Sequence, residues 1–61
     1  MLTDYIGNRV RIIIRKNNAI LGDYMTYKLD KETALYFSKY RFKGVHNSRS
    51  TGIFIIDMVK D

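Results

Sequence analysis

The sequence contains no cysteine, no proline and no tryptophan, a single histidine and only four glycines. Without cysteine there are no disulfides and no thiolate metal sites, and His46 alone cannot build a histidine-based zinc site. No metal or other cofactor is expected. The glycines lie scattered at positions 7, 22, 44 and 52, so no phosphate-cradling glycine loop exists. Apolar runs such as Ile12–Ile14 and Ile53–Ile56 fall far short of the roughly 20 residues that span a bilayer. Met1-Leu2-Thr3-Asp4-Tyr5 has neither the charge nor the apolar stretch of a secretory leader. No membrane partner is expected, and with cysteine absent the location read from the sequence is cytoplasmic.

Acidic residues are also scarce. Eleven Lys and Arg face six Asp and Glu, a net charge of +5 with a pI near 9.8. So large an excess on so small a body attracts polyanions from a distance. Sixty-one residues make one domain, 1–61. Such a domain buries only about 60% of its unfolded surface, and its core is expected to contribute no more than roughly 3–5 kcal/mol of net stability. Self-association is the supplement still open to it.

What is present is mostly β-forming. Leu2 to Ile6 followed by Gly7 reads as a short N-terminal helical turn ended by a left-handed glycine. Arg9 to Arg15 alternates, with Val10, Ile12 and Ile14 on one side and Arg9, Arg11, Ile13 and Arg15 on the other. Its β-branched density makes it a strand. Lys16-Asn17-Asn18-Ala19 reads as a tight turn, since Asn tolerates positive φ. A second strand runs from about Ile20 to Leu29, with a bulge or bend at Gly22 restoring its phase. Thr33 to Val45 is read as one long strand or two kinked near Ser38, because its apolar residues do not gather on one helical face. The alternative is a helix over 31–43, capped by Asp30, giving a ββαβ order. Val45 to Gly52 reads as an exposed loop, and Ile53 to Val59 as a closing strand that is apolar on both sides.

The segment Tyr5-Ile6-Gly7-Asn8-Arg9-Val10-Arg11-Ile12, within Leu2–Ile14, resembles the start of Sm-like and related SH3-like domains. Asn17-Asn18-Ala19-Ile20-Leu21-Gly22 is similar to the first Sm turn, and Gly52 to Val59 to the second Sm motif. The resemblance implies an all-β, small bent-strand barrel of four to five strands with RNA as its ligand class. The chain departs from the family at its base-binding positions: Ala34 stands where an Asn would follow Asp30, and Ile56-Asp57 replaces the basic pair of the second motif.

Catalysis finds no support in the pattern. A nucleophile needs a base held within hydrogen-bond reach, and His46 lies in the polar stretch with Ser48, Ser50 and Thr51 with nothing to orient it. The protein is expected not to be an enzyme. The basic residues are better organised. Arg9, Arg11 and Arg15 project from one strand face, and Lys39, Arg41 and Lys43 from another, with Arg49 extending them. Tyr40, with Tyr36 or Tyr24 nearby, offers a stacking surface of the kind single-strand binders use. These residues point to non-enzymatic binding of RNA or single-stranded DNA through backbone phosphates. The rival is a protein-interaction module or phage-type inhibitor that docks the same basic face on an acidic protein. Ile53, Ile55 and Val59, on the outer side of the closing strand, are the expected interface of a homo-oligomer.

Overall fold

The computed structural model describes residues 1–61. A 3-10 turn over Leu2–Tyr5 precedes β1 (Val10–Lys16) and β2 (Ala19–Thr26); α1 (Lys31–Phe37) follows, then β3 (Arg41–Ser48) and β4 (Ile53–Val59). The protein is predominantly β. Its four strands form one mixed sheet in the order β2-β1-β4-β3. Two antiparallel hairpins, β1–β2 and β3–β4, join through a parallel pairing of β1 with β4.

The sheet is open, which corrects the expected barrel. β2 and β3 each pair on one side only, so nothing closes the ring. Four short strands can bury one face under a helix without curling onto themselves, and that is what happens. Val10, Ile12 and Ile14 of β1 and Ile56 and Met58 of β4 pack with Leu2, Leu29 and Ala34 into the core. Tyr5, Phe37, Tyr40, Phe42 and Phe54 seal its margin. Burying one Ile or Leu of this kind contributes about 1.5–3 kcal/mol.

The first hairpin follows the sequence reading closely. Asn17 (φ 52°) and Asn18 (φ 67°) both take the left-handed conformation of a two-residue turn that matches strand twist. The register slips where Ile14 faces Gly22 and Arg15 faces Ile20, leaving Leu21 as the extra residue beside the expected bend. After β2 the chain is pinned to the N-terminal turn: the Gly7 N–H donates to Leu29 O at 2.7 Å, and the Leu29 N–H to Asn8 O at 2.9 Å. Gly7 holds φ 91°, as expected of the residue that ends that turn.

Residues 31–45 divide near Ser38, where the sequence reading allowed a kink between two strands, but the first part is a helix. The Asp30 side chain accepts the Thr33 N–H at 2.7 Å and caps a two-turn helix. That cap holds the Asp30 carboxyl below the usual carboxylate range. At the other end, the Ser38 hydroxyl donates to Ala34 O at 2.6 Å and the Tyr40 N–H donates to Phe37 O at 3.1 Å, turning the chain into β3. The order is therefore ββαββ, neither the all-strand reading nor ββαβ. Only Ala34 of the helix is buried, with Thr33 and Phe37 half-buried; Leu35 and Tyr36 stay exposed. The helical wheel misled because it included Tyr40 and Phe42, which belong to the link and to β3. The supposed loop 45–52 is also shorter: β3 continues to Ser48, and only the turn before β4 remains, with Gly52 at φ 70°.

Candidate anion-binding end of the sheet

Topology decides which cations meet. β1 and β4 run parallel, so their carboxyl ends lie together, and β3, antiparallel to β4, begins at that same end. Arg15 and Arg41 both face Val59 in register, and the Lys60 N–H continues the parallel ladder by donating to Arg15 O at 2.8 Å. Two adjoining clefts open there. One is lined by Lys39, Tyr40, Arg41, Val59, Lys60 and Asp61, the other by Arg15, Asn17, Asn18, Arg41, Lys43 and Val59. Arg41 and Val59 line both, and Arg41 is the cation they share. Five cations thus converge on one end of a small body, against the carboxylates of Asp57 and Asp61.

The pairing state of each cation differs. Arg15 Nη1 donates to Asp57 Oδ1 at 2.6 Å, and this pair is partly sheltered. Arg41 reaches Asp61 only at 3.4 Å, with both side chains well exposed, so the contact is weak and readily exchanged. Lys39 has no acidic partner; its ammonium stands 4.2 Å from the Tyr36 ring centre and 5.3 Å from that of Tyr40. Lys43 and Lys60 make no ion pair. Aromatic rings continue from the cleft along the helix: Tyr40 lies 6.4 Å from Phe37, which touches both Tyr36 (5.1 Å, edge-on) and Tyr24 (5.3 Å).

Of the residues singled out in the sequence, Arg15, Lys39, Tyr40, Arg41 and Lys43 are brought together. Arg9, Arg11 and Arg49 are not. Arg9 donates to Thr51 O at 3.2 Å and stacks over Tyr27 at the far end of β1. Arg49 lies in the β3–β4 turn, also at that far end. Arg11 is committed to a two-pronged pair with Asp23, Nε to Oδ1 at 3.0 Å and Nη2 to Oδ2 at 2.5 Å. Its guanidinium holds the Asp23 carboxyl below the usual carboxylate range. A single six-cation stripe from two strand faces is therefore not what forms: Lys39 sits between α1 and β3 rather than on a strand, and Arg11 is neutralised from β2.

The sequence reading sets Lys60 outside both basic faces and gives Asn17 and Asn18 no lining role. Their signal lay in strand order: only the parallel β1–β4 pairing brings residue 60 beside residue 15. Ile53, Ile55 and Val59 lie half-buried on the central strand β4, with Ile55 flanked in register by Arg11 and His46. His46 Nε2 lies 3.7 Å from Asp57, the carboxylate that Arg15 already holds, while Ser48 and Ser50 pair their hydroxyls with each other at 3.4 Å. No helix is long and apolar enough to cross a membrane.

No family model matches the chain. No curated protein and no solved structure matches it either. The reading of its function therefore rests on its own residues.

Proposed function

We propose that this chain is a non-enzymatic binder of single-stranded nucleic acid, RNA or DNA, that grips backbone phosphates at the basic end of its sheet. One observation carries the reading: Arg41 joins two clefts whose walls supply Arg15, Lys39, Lys43 and Lys60 as well. Arginine's planar fork and the more mobile ammonium groups are the side chains that phosphate oxygens favour. The Tyr40–Phe37–Tyr36 rings beside Lys39 give unstacked bases a surface on which to lie. The open sheet needs no Sm-like barrel or ring for this.

Fluorescence anisotropy with short labelled RNA and DNA oligonucleotides across a salt series tests it. Each phosphate contact on a single strand contributes about −0.7 to the log–log salt slope, so four contacts give roughly −3. Arg41→Gln is expected to weaken all sequences alike and flatten the slope by less than one unit. Lys60→Gln should act the same way, whereas Arg49→Gln, at the far end, should do little. A flat salt response, or no binding at low salt, removes the proposal. Loss of more than about 2 kcal/mol at one or two residues against an acidic protein, without oligonucleotide affinity, establishes the docking module instead.

A further inference from the structure

The two edges of the sheet carry different chemistry. β3 presents Arg41, Lys43 and His46, and a residue bulged out at Lys43. Cations and bulges on an edge discourage pairing with another chain. β2 lacks that protection. Its sequence, Ala19-Ile20-Leu21-Gly22-Asp23-Tyr24-Met25-Thr26, contains no cation and no proline, and its one ionised group, Asp23, is already bound by Arg11 of the same chain. Ile20 is 60% exposed, Leu21 55%, Met25 49% and Tyr24 40%. The bulge at Leu21 disturbs only the start of the strand, leaving Gly22 to Thr26 in regular register with β1.

We infer that β2 is the docking edge for a second copy of this chain, pairing antiparallel with its own counterpart into one eight-stranded sheet. A strand edge is self-complementary under a two-fold axis, since donors and acceptors exchange between identical segments. Centred on Tyr24, the pairing sets Asp23 opposite Met25 of the second copy and Tyr24 opposite its equivalent. No like charges meet, because Asp23 is neutralised within each chain. The corresponding pairing of β3 centred on Phe42 would set Arg41 opposite Lys43 of the second copy on both sides of the axis, cation against cation. Facing tyrosines at the axis add an aromatic cross-strand pair to the Tyr24–Phe37 contact already present.

Light scattering and sedimentation equilibrium over a wide concentration range test this. The full chain is expected to reach twice its 7.2 kDa mass, with little dependence on salt. Tyr24→Arg places two cations on the axis and should leave a monomer. Met25→Lys, which spares the Phe37 contact, should raise the dissociation constant at least tenfold. Val45→Lys on the other edge and Ile55→Lys on β4 should change it less than twofold, each checked for folding by circular dichroism. Because the chain is cysteine-free, Tyr24→Cys adds an independent reading: mild oxidation should yield a cross-linked dimer. A wild type that stays monomeric at every concentration overturns the inference, as does a dimer that Ile55→Lys dissociates and Met25→Lys does not.

Discussion

The covered and open faces of the sheet use the same central strands and are built by different means. On the covered face, Val10, Ile12, Ile14, Ile56 and Met58 are sealed by the N-terminal turn, Leu29 and α1. On the open face no element lies above the sheet, yet Ile13 is only 8% exposed. In register it sits between Asp23 of β2 and Asp57 of β4, and those carboxylates bind Arg11 and Arg15, its neighbours two residues away on the same side. Acids and bases drawn from three strands flank an isoleucine where a second layer would otherwise be needed. An alternating Arg-Ile-Arg strand thus serves as a scaffold for ion pairs on one side and as core on the other, and Arg15 is its one cation that also belongs to the basic end.

The largest effect that would break this contrast is expected on the covered face. Ile12→Ala should cost about 2–5 kcal/mol, comparable to the roughly 3–5 kcal/mol that the core of so small a domain rarely exceeds; Ile13→Ala should cost less than half as much. Urea titration read by circular dichroism compares the two. Asp57→Asn comes next and should act with opposite signs on two measurements. Stability should fall by about 1–2 kcal/mol as Arg15 loses its partly sheltered partner, while oligonucleotide affinity rises because a cation at the basic end is freed. A fall in both would show Arg15 to be purely structural.

A smaller effect concerns acid. The Arg11 hydrogen bonds lower the folded pKa of Asp23, and the Thr33 N–H lowers that of Asp30. Each carboxylate therefore stabilises the fold above its unfolded pKa of about 3.9, and the contribution is lost as pH falls through the lower folded value. Both groups are exposed and the effect is modest. The urea midpoint should decline below about pH 4, and Asp23→Asn should flatten that decline. The smallest change is expected at Tyr27, exposed and stacked only on Arg9: Tyr27→Ala should move stability by no more than about 0.5 kcal/mol.

Strand existence was legible where β-branched residues alternate. Ile53–Val59 has the expected bounds, and the Asn17-Asn18 turn and the break near Gly22 have local chemical causes that a sequence displays. The helix was harder to read because it is seven residues long and buries little beyond Ala34, so its amphipathic signal is weak; Asp30 was its only clear mark. The basic site was legible in part for a different reason. Which arginines are free depends on acids supplied by other strands: Asp23 faces Arg11 only through the hairpin, and Asp57 reaches Arg15 only through a parallel pairing across 42 positions. A charge pattern read along one strand contains no information about either.

That parallel pairing also shapes how the chain reaches its native state. β1 and β4 form the middle of the sheet, yet β4 is synthesised more than forty residues after β1 begins, on the order of 2–9 s later at 5–20 residues per second. Until then the β1–β2 hairpin lacks Ile56 and Met58, the β4 share of the core around Ile12 and Ile14, and a lone two-stranded hairpin is marginal in water. Folding becomes one late, cooperative event, and the interval before it is when an isoleucine-rich strand is open to chaperones, proteases or a neighbouring nascent chain.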